Sequence, residues 1–185
     1  MDALQDDIQD LNSQLLLIVS EPHEGAQILK LMEATPLVAQ RIAQAGANGV
    51  GTAIRCRTPL VTFTALAEEL LALDPRDWRG SGSMSVPQSL QDLTLYALRL
   101  AQRVAHVQPT VAELQFQLSR SSVEALARLP LKHLNPLCRR YGVLLRLRRA
   151  QQPQIWERLL IGDTCPGPLG FRIAQQTALL SLGNN

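Results

Sequence analysis

Several kinds of chemistry are missing from this sequence. Its three histidines, His23, His106 and His133, fall on different predicted elements. No serine or cysteine stands at a partner spacing to any of them, so a nucleophile and base pair has no basis. Asp92 and Glu113 read as lone surface carboxylates. Neither Gly-x-x-x-x-Gly-Lys nor Gly-x-Gly-x-x-Gly occurs, so no phosphate-cradling loop is expected. The three cysteines, Cys56, Cys138 and Cys165, are odd in number and far apart. With no Cys-x-x-Cys pair and no histidine cluster, neither a disulfide framework nor a structural zinc site is expected. Each cysteine reads instead as a small buried apolar residue. The expectation is a chain that is not an enzyme, with no catalytic residue, no metal and no cofactor. Long hydrophobic runs are missing too, and nothing approaches the roughly 20 apolar residues of a membrane helix. The N-terminus is acidic (Asp2, Asp6, Asp7, Asp10), the opposite of a secretory leader. A cytoplasmic protein without membrane contact is expected.

What is present is an ordinary apolar fraction of 46% and a small net charge of +2 that hides an asymmetry. Residues 1–85 carry 6 basic and 11 acidic side chains, net −5, and residues 86–185 carry 12 and 5, net +7. Opposite charges favour encounter between the two parts and disfavour self-pairing of either. Between them stands Gly80-Ser81-Gly82-Ser83, followed at once by Met84. A clean, short Gly/Ser stretch ended by methionine reads as an inserted flexible tether of the kind chosen to hold two partners together. The domain boundaries expected are therefore 1–79, a tether at 80–83, and 84–185.

Periodicity makes both modules helical. In the first, Ile8, Leu11, Leu15, Ile18 and Val19 set an amphipathic helix over about 2–20. Further helices are expected over 22–33, 36–45 and 64–73, the second of these opened by Thr35-Pro36 as cap and first-turn proline. Gly46-Ala47-Asn48-Gly49 reads as its stop. Thr52 to Arg57 alternates Ala53, Arg55 and Arg57 against Ile54 and Cys56, the pattern of a short strand. In the second module, Leu90, Leu93, Ala97, Leu100 and Val104 make a long helix over about 87–106. Shorter helices are expected over 109–118, 121–129, 131–140 and 153–161. A capping box at Ser121 to Glu124 opens the second of these, and a strand is expected over 142–148. A weak helix is expected around 171–182. The modules also repeat each other. Ile8-Gln9-Asp10-Leu11 matches Leu90-Gln91-Asp92-Leu93, and Gly51 to Arg57 matches Gly142 to Arg148 in a Gly-x-φ-φ-Arg-φ-Arg pattern, where φ is apolar.

The stretches Leu98 to Val104, Phe116-Gln117-Leu118, Val123 to Leu129, Leu131 to Leu137 and Leu145 to Arg148 together resemble the FlhD subunit of the FlhD/FlhC flagellar master regulators. The resemblance covers about 90–148, and residues 8–70 fit more loosely. It implies a mainly α fold of two small FlhD-like helical modules, each with one short β-strand, paired as a pseudo-symmetric heterodimer. It implies an FlhC-like subunit or domain as a further partner, and DNA contact through a full activator. FlhD-like pairs also serve integrative and conjugative elements, some of which carry a very small quorum-sensing antiactivator. A 79-residue module tethered to an activator-like fragment resembles that arrangement. The four-cysteine zinc site of the FlhC type is absent, and the first module lacks a long C-terminal extension.

Two sets of residues are candidates for function. Arg139, Arg140, Arg146, Arg148 and Arg149 lie within eleven residues, and guanidinium forks match phosphates. The alternative for this cluster is a solvated face or a surface meeting the acidic first module. The second set is the interface. A lone strand in each module leaves backbone groups unpaired. Cross-module antiparallel pairing is therefore expected, with Ile54 and Cys56 against Leu145 and Leu147, and the alternating arginines on the other face. Glu68, Glu69 or Glu157 would offset those arginines. Leu11, Leu15, Leu93 and Leu100 on the long helices would pack beneath.

Overall fold

The structure, a computed structural model, describes residues 2–73, 75, 86–141 and 143–161. The expected tether and the expected helix near 171–182 lie outside the described residues. The part ahead of residue 80, called the first module below after the expected boundary, runs α1 (Asp2–Val19), α2 (Gly25–Leu31), α3 (Pro36–Gln44), α4 (Gly46–Ile54), β1 (Val61–Phe63) and α5 (Ala65–Ala72). The second runs α6 (Gln88–Val107), α7 (Pro109–Phe116), α8 (Arg120–Arg128), a 3-10 turn (Leu131–His133), α9 (Leu134–Tyr141), β2 (Leu145–Leu147) and α10 (Pro153–Ile161). The fold is mainly α, with one two-stranded sheet.

The two long helices form because their apolar residues recur at 3.6-residue spacing. Ile8, Leu11, Leu15, Leu16 and Val19 bury one face of α1, and Leu90, Leu93, Ala97, Leu98, Leu100 and Ala101 one face of α6. These faces pack on each other. The four long-helix leucines expected beneath the ribbon are all in the core: Leu11, Leu15, Leu93 and Leu100. Three short helices start on side-chain caps, α5 on Thr64, which accepts from Ala67 N–H (3.2 Å), and two others. The Thr35 hydroxyl accepts from Val38 N–H (3.3 Å) and the Ser119 hydroxyl from Ser122 N–H (3.2 Å), each satisfying a first-turn donor. Ser119 thus takes the capping place that the sequence pattern gave to Ser121.

One expected element is wrong. Thr52–Arg57 is not a strand: residues through Ile54 finish α4, Arg55 is its cap, and Cys56 lies in the loop beyond. The alternation there is short, and Val50 and Ala53 also stand at helical spacing. Nor do the glycines of this stretch end α3 by opening a loop. They begin α4, because Gly49 lets that helix approach α10 closely: a Cβ on Gly49 would lie 2.7 Å from the carbonyl oxygen of Leu160. The strand of the first module is Val61–Phe63. Its run Val61-Thr62-Phe63-Thr64 does alternate apolar and polar residues, but the run is short and Thr62 on its polar side is buried as well. The Gly-x-φ-φ-Arg-φ-Arg match between the modules consequently joins a helix end to a strand.

Candidate functional site

Cross-module strand pairing is present, through a different first-module segment. β1 and β2 are antiparallel, with Val61 opposite Leu147, Thr62 opposite Arg146 and Phe63 opposite Leu145. The ladder continues at both ends: Thr64 N–H donates to Leu144 O (3.0 Å) and Arg148 N–H to Leu60 O (2.8 Å). Leu145 and Leu147 are buried as expected, but Val61 and Phe63 face them, not Ile54 and Cys56. Ile54 is half-buried at the end of α4, and Cys56 is buried in the following loop. The other edge of β2 is used too, because Leu147 N–H donates to Met32 O at the end of α2 (3.0 Å). β2 therefore makes backbone bonds to two separate first-module segments.

A single side chain holds β1 at its place. Asn12 of α1 is fully buried in the apolar stripe. Its amide donates to Cys56 O (3.3 Å) and Thr58 O (3.1 Å), and its Oδ1 accepts from Leu60 N–H (2.8 Å). Both of its donors and its oxygen are engaged by the backbone that leads from α4 into β1. Sequence reasoning missed Asn12. The signal was its position: residues 8, 11, 12, 15, 16 and 19 share the core face, and only this one is polar.

The helices that follow the strands cross over. α5 of the first module packs on α8 of the second, and α10 of the second packs on α3 and α4 of the first. Polar contacts finish these joints. Glu68 of α5 accepts from Ser119 N–H (3.2 Å) and Ser122 Oγ (3.1 Å) at the N-terminus of α8, where a carboxylate also suits the helix dipole. Glu157 of α10 pairs with Arg41 of α3 (3.4 Å). Neither carboxylate offsets the strand arginines as expected; each serves a crossed helix instead, and Glu69 is exposed. Thr62 Oγ donates to Phe116 O at the end of α7 (2.7 Å), and the rings of Phe63 and Phe116 lie 6.0 Å apart. On the opposite side, Thr35 N–H donates to Ala150 O (3.1 Å). Arg103 of α6 pairs with Asp7 of α1.

The five candidate arginines divide by exposure. Arg139 and Arg140 on α9 and Arg146 on β2 are exposed, and Arg149 is partly covered. Arg148 is buried, with its Nη2 donating to Gln115 O and its carbonyl accepting from the Trp156 indole (3.0 Å). Burial, with Arg149 beside it, pushes its guanidinium down to about 10. Arg148 is thus an internal strut between β2, α7 and α10, not part of a phosphate-facing surface. Arg55 and Arg57 are exposed in the region after α4, away from the ladder positions expected for them.

Cys56 and Cys138 are both buried, as expected, and only the bonding of Cys56 departs from expectation. Cys56 is disulfide-bonded, whereas Cys138 is free and buried. Desolvation pushes the Cys138 thiol up to about 12, which keeps it protonated and unreactive at neutral pH. Among the described residues no group of three or more His, Cys, Asp or Glu could hold a metal, and no helix is long and apolar enough to cross a membrane. In comparisons with family models, curated proteins and solved structures, nothing matches this chain.

Proposed function

We propose that the chain is a regulatory protein pair: a small antiactivator module, residues 1–79, bound to an FlhD-like module of a transcriptional activator, residues 84–185. The observation that carries this reading is the exchange of parts. α5 has its helix partner in α8, α10 has its partners in α3 and α4, and each strand has its partner in the other module. Modules that merely sat side by side on a tether would each close their own sheet and core. Interlocking of this kind is the work of a dedicated interface.

A similar order of elements in the two modules supports an FlhD-like ancestry for both. Each has a long helix, three short helices, a strand and a final helix, in that order, and the second adds a 3-10 turn before its last short helix. Each has a left-handed residue just past its second helix, Glu33 (φ 63°) and Gln117 (φ 54°), followed two residues later by the capping Thr35 or Ser119. Such φ values are uncommon outside glycine. The first module would silence its target by occupying the strand edge and helix grooves that an activator needs for its own assembly with an FlhC-like subunit or domain. The setting would be the cytoplasm, under quorum-sensing control of an integrative and conjugative element. The Cys56 disulfide would be reduced there, and the Asn12 bonds would carry the loop.

A second reading rests on exposed Arg139, Arg140 and Arg146: a two-module activator that binds DNA as it stands. One experiment separates the two. Transcription driven by the full activator containing residues 84–185 is measured with and without residues 1–79 supplied as a separate chain. Silencing predicts a many-fold fall that is relieved by Phe63→Asp, which places a charge in the buried strand contact. A rise in output on adding the first module would favour the second reading. Silencing that survives Phe63→Asp would overturn the interface.

A further inference from the structure

A groove of about 930 Å³ runs beside α6, bounded by the end of α8 and the 3-10 turn on one side and by Asp7 of α1 on the other. A smaller hollow of about 270 Å³ shares Asp7, Arg103 and Val107 with it and extends over Leu4. The surface therefore draws on both modules and is complete only when they are paired. The stretch of α6 that lines the groove, Tyr96 to Val107, is about 17 Å long, or three helical turns.

Two features of this groove stand out from the rest of the surface. Val107 and Leu131, 73% and 68% exposed, are two of the three most exposed large hydrophobics among the described residues, and both line it. Its charge is one-sided as well: Arg99, Arg103 and Arg128 line it against the single carboxylate of Asp7. Arg103 is paired to Asp7, and Arg128 only reaches Glu124 at 3.8 Å with both side chains largely in water. Arg99 is exposed and forms no ion pair among the described residues. Walls this exposed would not enclose a small ligand, whose sites bury most of its surface. A nucleic-acid duplex would satisfy the arginines but would give Val107 and Leu131 nothing apolar to cover them. A helix with an apolar stripe and acidic flanks satisfies both. The stretch 162–185 of this chain holds one acid and one base, so it does not supply such flanks.

We infer that this composite groove is a docking site for an acidic amphipathic helix of another protein, about three turns long. The inference goes beyond the pairing of the modules and holds whether the pair silences or activates. The test uses the full tethered chain and a labelled, stapled helical peptide of about fifteen residues, with leucines along one stripe and glutamates on either side. Controls are the same peptide with lysines for glutamates and a short DNA duplex as competitor. Binding by fluorescence anisotropy should be micromolar for the acidic peptide and should weaken with added salt. Leu131→Glu and Arg99→Glu should each weaken it at least tenfold. Both side chains are exposed, and an unchanged circular dichroism melt shows that the fold survives. Equal binding of the lysine peptide, insensitivity to both substitutions, or displacement by the duplex would each overturn the assignment.

Discussion

Asn12→Ala is expected to cost the folded chain about 4 kcal/mol, more than loss of any surface ion pair. The substitution removes the partners of Thr58 O and Leu60 N–H, both of them buried backbone groups, and one of the two partners of Cys56 O. An orphaned buried group costs roughly 1–3 kcal/mol. Two such groups, with a cavity left behind, reach that total. The place equivalent to Asn12 in α6 is Thr94, also buried, whose hydroxyl donates only to Leu90 O within its own helix (2.7 Å). Thr94→Ala should cost about 1 kcal/mol or less, since that carbonyl is already served by the helix. Chemical denaturation of the two variants makes the comparison. Equal losses would mean that Asn12 does not hold the path into β1.

The second large effect belongs to Arg146→Pro. The ladder is closed at its two ends by Thr64 N–H to Leu144 O and Arg148 N–H to Leu60 O. Antiparallel pairing alternates, so the backbone of Arg146 faces Thr62, whereas Leu147 N–H points the other way to Met32. A proline at 146 removes a donor between the modules, and one at 145 would not. The Arg146 side chain is exposed, so its own loss matters little. Arg146→Pro should therefore weaken association of separately expressed modules by about 3 kcal/mol, or roughly a hundredfold, while Arg146→Ala leaves it within a few-fold. Titration calorimetry reads both. Similar affinities for the two variants would show that the ladder contributes little to pairing.

The parts of this fold that were legible in the sequence are those written in helical periodicity. Both long helices, the Thr35 cap and the apolar stripes that meet between α1 and α6 follow from residue spacing alone. β2 was legible because Leu145-Arg146-Leu147 has one wet and two buried side chains. β1 was missed although Val61-Thr62-Phe63-Thr64 alternates, because the run is only four residues long and Thr62 is covered like its apolar neighbours. Its β-branched and aromatic residues after Pro59 were the remaining clue. Pairing between the modules followed correctly from the cost of an unpaired strand, but the same logic was attached to Thr52–Arg57, which is the end of a helix and the loop beyond it. The arginine cluster misled for a different reason. Sequence proximity placed Arg148 with its exposed neighbours, whereas the turn after β2 sends it inward to Gln115. The crossing of α5 and α10 could not be read at all, since nothing local tells a helix which module's groove it will fill.

The most direct test of the interlocked core is to sever the tether. A protease site placed across residues 80–83 and then cut leaves residues 1–79 and 84–185 joined only by their interface. Because the strands and final helices of each part are seated in the other, the cut chain should elute at micromolar concentration as one species of the uncut size and unfold in one cooperative step. Two separate peaks, each retaining its own cooperative unfolding, would contradict the account.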